Sequence, residues 1–361
     1  MSDSDSIQAL ERNLELLLDD YRDLQSHEIR TYDEPPSSLE ALRMISRSHP
    51  AVIRGFSPLT PAAQCHDWSR SAVYETLSEN RKITVAVTDD GLADSVRELD
   101  DGTSTFVKPF GEKTTISELI SRLRSRDDEG EAYYLQSQDG NVYRSTPHSS
   151  GFPELEVFQK YIHRDVSWMK EATSTEAEAV NLWIGDKKST TSLHHDPYEN
   201  IYHVLAGSKT FTLLSPIEGL WLDQHFHPSS TLHRSTSGSL VPVLDPAPTY
   251  PVPWVSSTHL PPRVQPIRVT LQEGETLFLP ANWWHRVEQE EREAGIVVAV
   301  NYWYPSEIHP QNYAYERLAR RMARQAGRQG VIPVPGDEEV SDDVWCSDDS
   351  GEEWNPSDWG R

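Results

Sequence analysis

A mainly β protein with helical elements at its two ends is the fold class that the sequence predicts, and three observations carry that expectation. From Val180 onward, short apolar runs alternate with tight turns, the pattern of a jelly-roll or barrel. Ahead of that stretch, Ile7, Leu10, Leu14, Leu17, Leu18 and Tyr21 recur at helical spacing. Behind it, Tyr313 to Arg328 reads as a basic helix.

Taken in order, the first helix is expected over residues 7–24, with Ser6 placed to cap it. Ser37-Ser38-Leu39-Glu40 is a capping-box pattern that opens a second helix through about Arg47. His49 to Phe56 (HPAVIRGF) reads as a buried strand closed by Gly55, and Ile83 to Thr88 as another, ended by an Asp89-Asp90-Gly91 turn. Thr115-Ile116-Ser117-Glu118 caps a helix through about Leu123, followed by a strand at 132–136. The β-rich half is read as strands at 180–184, 192–196, 201–205, 209–214, 267–271, 276–279 and 296–302. Ala206-Gly207-Ser208 turns a hairpin, and Glu273-Gly274-Glu275 precedes the strand that leads to His285.

Residues 216–266 interrupt this pattern with eight prolines between Pro242 and Pro266. They read as a long irregular insertion, and long ordered loops often form functional rims. Asp337 to Arg361 holds ten acidic residues, one arginine, and Trp345, Trp354 and Trp359. So polar a stretch cannot pack alone and is read as disordered; its tryptophans suit a docking motif, and Ser350-Gly351-Glu352-Glu353 resembles an acidophilic kinase site. The resulting division is an N-terminal extension over 1–130, a catalytic β domain over 131–308 carrying the 216–266 insertion, a C-terminal helix over 309–330 and the acidic tail over 336–361.

Composition narrows the class. A chain of 361 residues with 36% hydrophobic content, 11 Trp and 14 Tyr can bury a substantial core. No basic n-region or small-residue cleavage site accompanies Leu14-Glu15-Leu16-Leu17-Leu18, and no run of eighteen apolar residues occurs, so neither a leader nor a membrane span is expected. Cys65 and Cys346 cannot build a disulfide framework or a cysteine-rich zinc module; they point to a reducing compartment, cytoplasm or nucleus. A formal charge of −24 counts against nucleic acid as the partner and suits a basic polypeptide, although solubility alone accounts for much of it.

The chemistry sits in two short motifs. His194 and Asp196 are two residues apart, which on a strand puts both side chains on one face, able to share a metal. Such a pair is weak by itself. About ninety residues later, Pro280-Ala281-Asn282-Trp283-Trp284-His285 supplies a second imidazole. Two histidines and one carboxylate are the ligand set of an Fe(II) site that keeps three adjacent positions open for a cosubstrate and dioxygen. His195 is expected to point the other way. Lys209 shares a strand face with Phe211 and Leu213; the alternative is an ordinary exposed hairpin lysine. An inward ammonium is costly without an anion, which makes Lys209 the candidate anchor for the distal carboxylate of 2-oxoglutarate. Thr191 and Tyr134 are candidates for hydroxyl hydrogen bonds to the same molecule. His225, His227 and His233 lack a completing carboxylate or cysteine and read as surface residues, while Trp283 and Trp284 read as wall and core.

His194-x-Asp196, Lys209 and His285 resemble the iron- and 2-oxoglutarate-binding residues of the jumonji-C (JmjC) oxygenases. Longer stretches resemble the protein-lysyl hydroxylase branch of that family: HPAVIRGF (49–56), VAVTDDGLADSVR (85–97), YLQSQ (134–138), NLWIG (181–185), TSLHHDPYENIYHVLAGSKTF (191–211), VPW (252–254), LFLPANWWHRV (277–287) and VAVNYWY (298–304). The resemblance implies a double-stranded β-helix (jelly-roll, cupin-like) core with an N-terminal helix-and-strand extension. It implies Fe(II) as cofactor and 2-oxoglutarate and O2 as cosubstrates. It also implies (3S)-hydroxylation of a lysyl side chain, in a basic segment of a translation-factor-like GTP-binding protein of the developmentally regulated class. Tyr134 and Thr191 carry over as cosubstrate hydrogen-bonders, and Asn200 and Asn301 fall at family-like positions around the ligands. The insertion diverges from the family pattern, and the acidic tail has no counterpart in it.

Three other readings remain open. One is demethylation of N-methyl lysine or arginine, which the lack of a cysteine-rich chromatin reader counts against. Another is endopeptidase activity on basic or methylated tails through a metal-bound water. The third is a non-catalytic cupin binding module, which intact His194, Asp196, Lys209 and His285 count against. A homodimer is compatible with the sequence.

Overall fold

Eight strands pass back and forth between two facing sheets, and the space between those sheets holds the site. The computed structural model describes residues 3–337 apart from 64–65, 78–80, 100, 126–129, 137–139, 146–151, 248–249, 258 and 293–294. Cys65, Cys346 and the tail from residue 338, with its three tryptophans, lie outside the described residues. The larger sheet runs, in spatial order, Arg30–Tyr32, Ala51–Ile53, Thr276–Leu279, Tyr198–Ala206, Val297–Pro305 and Ala179–Gly185. The smaller runs Ile267–Gln272, Ser208–Leu214, Trp284–Glu290, Thr190–His194 and Leu92–Ala93. This is a mainly β jelly-roll of the cupin-like kind, with helices at both ends.

Period-two alternation builds the two sides of the larger sheet. Trp183, Tyr202, Val204, Leu277 and Ala299 point inward and meet Phe211, Leu213, Leu271 and Val287 of the smaller sheet. Leu182, Ile184, Ile201, Val298, Val300 and Tyr302 point outward into a second core, which Ala41, Met44, Leu119, Ile120 and Met169 close from the helices. Strands covered on both faces read as continuous apolar runs, and Ala179–Gly185 is buried throughout. Two of those covering helices start where the sequence says: Ser37 and Glu40 form a reciprocal capping box before Ser38–Arg47, as Thr115 and Glu118 do before Ile116–Arg124. The first helix already begins at Asp3, so Ser6 lies within its first turns. The last helix spans Pro310–Gln325. Among the described residues no helix is long and apolar enough to cross a membrane.

The 216–266 stretch corrects the expectation of an irregular insertion. It holds a 3-10 turn at Pro216–Trp221 and strands at Gln224–His227, Ser229–Arg234, Leu240–Leu244 and Val252–Val255. Ser229–Arg234 pairs in parallel with Ser104–Lys108, tying the stretch to the N-terminal part of the chain. Pro242 and Pro253 sit in strands that have a partner on one side only, where a missing N–H costs no ladder bond. Those two prolines mark sheet edges, whereas Pro246, Pro251, Pro261, Pro262 and Pro266 lie in the connections. Trp284–Glu290 was also missed as a strand, because its mixed polar sequence hides an alternation in which His285, Val287 and Gln289 face inward.

Candidate metal centre

His194 ends the strand Thr190–His194 directly opposite His285, the two being register partners across the antiparallel pair. Between Thr191 and His194 the register shifts by a bulge, which re-aims a side chain as such irregularities do. Asp196 lies beyond the strand, so the expected strand at 192–196 is corrected: the strand begins earlier, and the aspartate stands in the connection to Tyr198. The Asn282 N–H, from a residue at φ +64°, donates to the Asp196 carbonyl (2.8 Å) and holds that connection against the His285 loop.

Three donor atoms converge. Asp196 Oδ2 lies 3.8 Å from His194 Nε2 and 3.6 Å from His285 Nε2, and all three atoms fall within 4.8 Å of one another. Nδ1 of His194 lies 2.8 Å from the Ser192 carbonyl and Nδ1 of His285 2.9 Å from that of Trp283. Those carbonyls place the ring protons on Nδ1 and turn both Nε2 lone pairs to the centre. Burial, followed by the neighbouring His194, pushes His285 down to about 4, so it is neutral near pH 7, as a ligand must be. Three lone-pair donors facing one point without a proton between them fit a cation bonded at roughly 2.0–2.2 Å to each. His195 turns away and packs edge-on against Trp284.

Lys209 is only 1% exposed. Its Nζ donates to the Tyr134 hydroxyl (2.9 Å) and to Gln289 Oε1. Gln289, directly opposite Lys209 in register, donates in turn to the Asp186 carbonyl (2.6 Å). No carboxylate forms an ion pair with Lys209 among the described residues, and burial pushes it down to about 7. Gly185 makes room for this cluster: a Cβ there would sit 2.6 Å from Tyr134 Cδ2 and 2.7 Å from Gln289 Nε2. Gly185→Ala is therefore expected to displace both lysine partners and weaken 2-oxoglutarate binding by roughly tenfold, an effect of about 1.4 kcal/mol, with the circular dichroism spectrum unchanged. Calorimetric titration checks it, and unaltered affinity would detach Gly185 from the site.

The triad opens on a small cavity of about 30 Å³ whose lining includes Tyr134, the hydrogen-bond partner of Lys209. Thr191, Asn200 and Asn301 line it. Asn301 Nδ2 donates to Asn200 Oδ1 (3.1 Å), and Asn301 Oδ1 accepts from Trp183 Nε1 (2.8 Å) and Asn181 Nδ2 (3.1 Å). Sequence reasoning missed Gln289, a lone glutamine in an unrecognised strand, and Trp254, whose ring lies parallel to His194 at 5.8 Å.

Comparison with known proteins converges on the same class. The cupin-like domain family matches residues 36–309. The chain is 30% identical to the human bifunctional peptidase and (3S)-lysyl hydroxylase JMJD7, over 82% of this chain and 89% of that protein. It is 31% identical to the Arabidopsis thaliana lysine-specific demethylase JMJ32, over 80% of this chain and 84% of that protein. With the Dictyostelium discoideum JmjC domain-containing protein E the identity is 29%, over 81% and 88% respectively.

Proposed function

From a chain that belongs to the cupin-like family of JmjC oxygenases, we propose a 2-oxoglutarate-dependent hydroxylase that adds one oxygen to a lysyl side chain of a protein. His194, Asp196 and His285 would hold Fe(II), which when bound supplies open positions for a keto acid and dioxygen and the oxidising power the reaction needs. Lysyl C–H, 2-oxoglutarate and O2 become lysyl C–OH, succinate and CO2.

The observation that carries the cosubstrate is Lys209, a buried ammonium with neutral partners, one of which, Tyr134, lines the triad pocket. An unpaired cation there is unfavourable until an anion arrives, and a dicarboxylate that reaches both lysine and triad satisfies both. Tyr134 accepts from Lys209, which leaves its own proton for the incoming carboxylate. The Thr191 hydroxyl is placed to add another donor. Asn200 and Asn301 hold the pocket floor through their amide network, and Phe211 and Val287 keep water from the lysine.

This arrangement has a pH signature. An incoming carboxylate raises the pKa of Lys209 above its ligand-free value of about 7, so binding takes up a proton above that pH. Affinity for 2-oxoglutarate is then full below pH 7 and falls as pH rises, by up to roughly tenfold per unit. Titrations from pH 6 to 9 check this, and a flat profile would mean that the lysine stays charged without ligand.

For the substrate, likeness to the human lysyl hydroxylase favours hydroxylation of a basic segment, with GTP-binding proteins of the developmentally regulated class as the first to test. The likeness to the plant demethylase sets the alternative. Full-length protein with Fe(II), 2-oxoglutarate and O2 is given lysine-centred peptides, unmethylated and methylated, and read by intact mass. A lysine gaining one oxygen supports the hydroxylase. Loss of a methyl group makes it a demethylase, and cleavage that persists without 2-oxoglutarate and O2 makes it a peptidase.

A further inference from the structure

The short strand Leu92–Ala93 adds in parallel to Thr190–His194, with Ala93 opposite Thr191, and carries Asp94 to the metal centre. Asp94 leaves that strand at φ +54°, a left-handed conformation uncommon outside glycine and best tolerated by Asn and Asp. Its carbonyl oxygen accepts from the Ser192 hydroxyl (2.6 Å), and the Trp254 indole N–H donates to that same hydroxyl (3.1 Å). One layer thus joins the ligand strand, the aspartate and the ring that lies against His194.

Asp94 is half-buried, and its carboxylate feels His194 more strongly than Lys108. Gln136 Nε2 donates to its Oδ2 (2.6 Å). Among the described residues no lysine or arginine forms an ion pair with it. The nearby charges are already matched: Asp89 and Asp90 pair with Arg97, and Lys108 pairs with Asp245. Gln136 Oε1 is buried and has no hydrogen-bond partner. A carboxylate that holds Gln136 Nε2 and a buried, unpartnered Gln136 Oε1 therefore stand beside the ligand strand, outside the metal-ligand set. Acceptors left so are costly, and an ammonium supplies three N–H donors and the opposite charge.

We propose that Asp94 and Gln136 receive the ε-ammonium of the substrate lysine and determine that the side chain oxidised is a lysine; the proposal rests on the lysyl hydroxylase reading above. Its geometry suits that reaction. A lysine carries its charge at the far end of a flexible four-carbon stem, so when a carbon near the backbone is presented to the metal, the ammonium must be received to one side of it. Asp94, joined to the ligand strand through Ser192, stands to one side of the triad cavity and not in its lining, and the Trp254 and Phe106 rings (4.8 Å apart) give the stem an apolar wall.

The test uses two libraries of capped peptides with degenerate flanks, one centred on lysine and one on norleucine, which keeps the stem and replaces the ammonium with a methyl group. Full-length protein carrying Mn(II) and 2-oxoglutarate, without turnover, is offered both, and retained peptides are quantified by mass. Wild type is expected to favour lysine by roughly tenfold or more. Asp94→Asn keeps the residue's size and left-handed preference; it should abolish that discrimination and leave 2-oxoglutarate affinity unchanged. Gln136→Met, which removes the second acceptor, should reduce it. Discrimination that survives in Asp94→Asn, or its absence from wild type, overturns the proposal. The underlying reading fails separately, when no lysine peptide gains oxygen on wild-type protein carrying Fe(II).

Discussion

Asp196→Ala is expected to lose metal binding and turnover together while the protein stays folded. Asp196 is the one anionic donor of the three, so its removal takes away both a ligand and the charge that offsets the cation. Changes in residues that merely orient metal ligands cost 10–100-fold in affinity; loss of a ligand itself should cost more, and leave iron content near background after desalting. The fold should tolerate the change, because Asp196 is held through its backbone carbonyl by Asn282 and its side chain is 22% exposed. Metal analysis and a thermal melt on one sample check both halves. Retained stoichiometric iron with full turnover would remove Asp196 from the centre.

Lys209→Met separates binding from stability. The variant replaces a buried ammonium with an apolar chain of similar length. It should weaken 2-oxoglutarate binding by about 2–4 kcal/mol, the range for truncating one partner of a desolvated charge pair. Stability should move little or rise. The substitution leaves Tyr134 and Gln289 without their lysine donor, at about 1–3 kcal/mol for each buried acceptor. It also removes a cation whose burial lowers its pKa from 10.5 to about 7, a penalty of several kcal/mol whenever the charge is present. The two terms are comparable, so a large drop in melting temperature is not expected. Unchanged 2-oxoglutarate affinity would show that the lysine faces something else.

The features legible in the sequence were those with a short-range signature. Both capping boxes, Ser37 with Glu40 and Thr115 with Glu118, define their helix starts from four adjacent residues. The Lys209, Phe211, Leu213 alternation gave the burial of that strand before any pairing was known. Asp196 meets the histidines by something other than strand alternation: a bulge and a connecting segment turn it toward them. What remained hidden depends on pairing between distant segments. Gln289 matters because it lies opposite Lys209 in register, and Asp94 because a two-residue strand from the N-terminal part of the chain adds beside the ligand strand. Neither pairing has a local pattern. The 216–266 stretch failed for a related reason, since proline is counted residue by residue whereas its tolerance depends on which strand edge it occupies.

One centre is expected to bind metal and keto acid together, and anaerobic titration with 2-oxoglutarate of the Fe(II)-loaded full-length protein tests this without knowledge of the substrate. A keto acid chelating ferrous iron gives a visible charge-transfer absorption. The expected result is a saturable band at one 2-oxoglutarate per chain, absent from Asp196→Ala and shifted to far higher concentrations in Lys209→Met. No band in wild-type protein that holds iron, or a band whose midpoint Lys209→Met leaves unchanged, would contradict it.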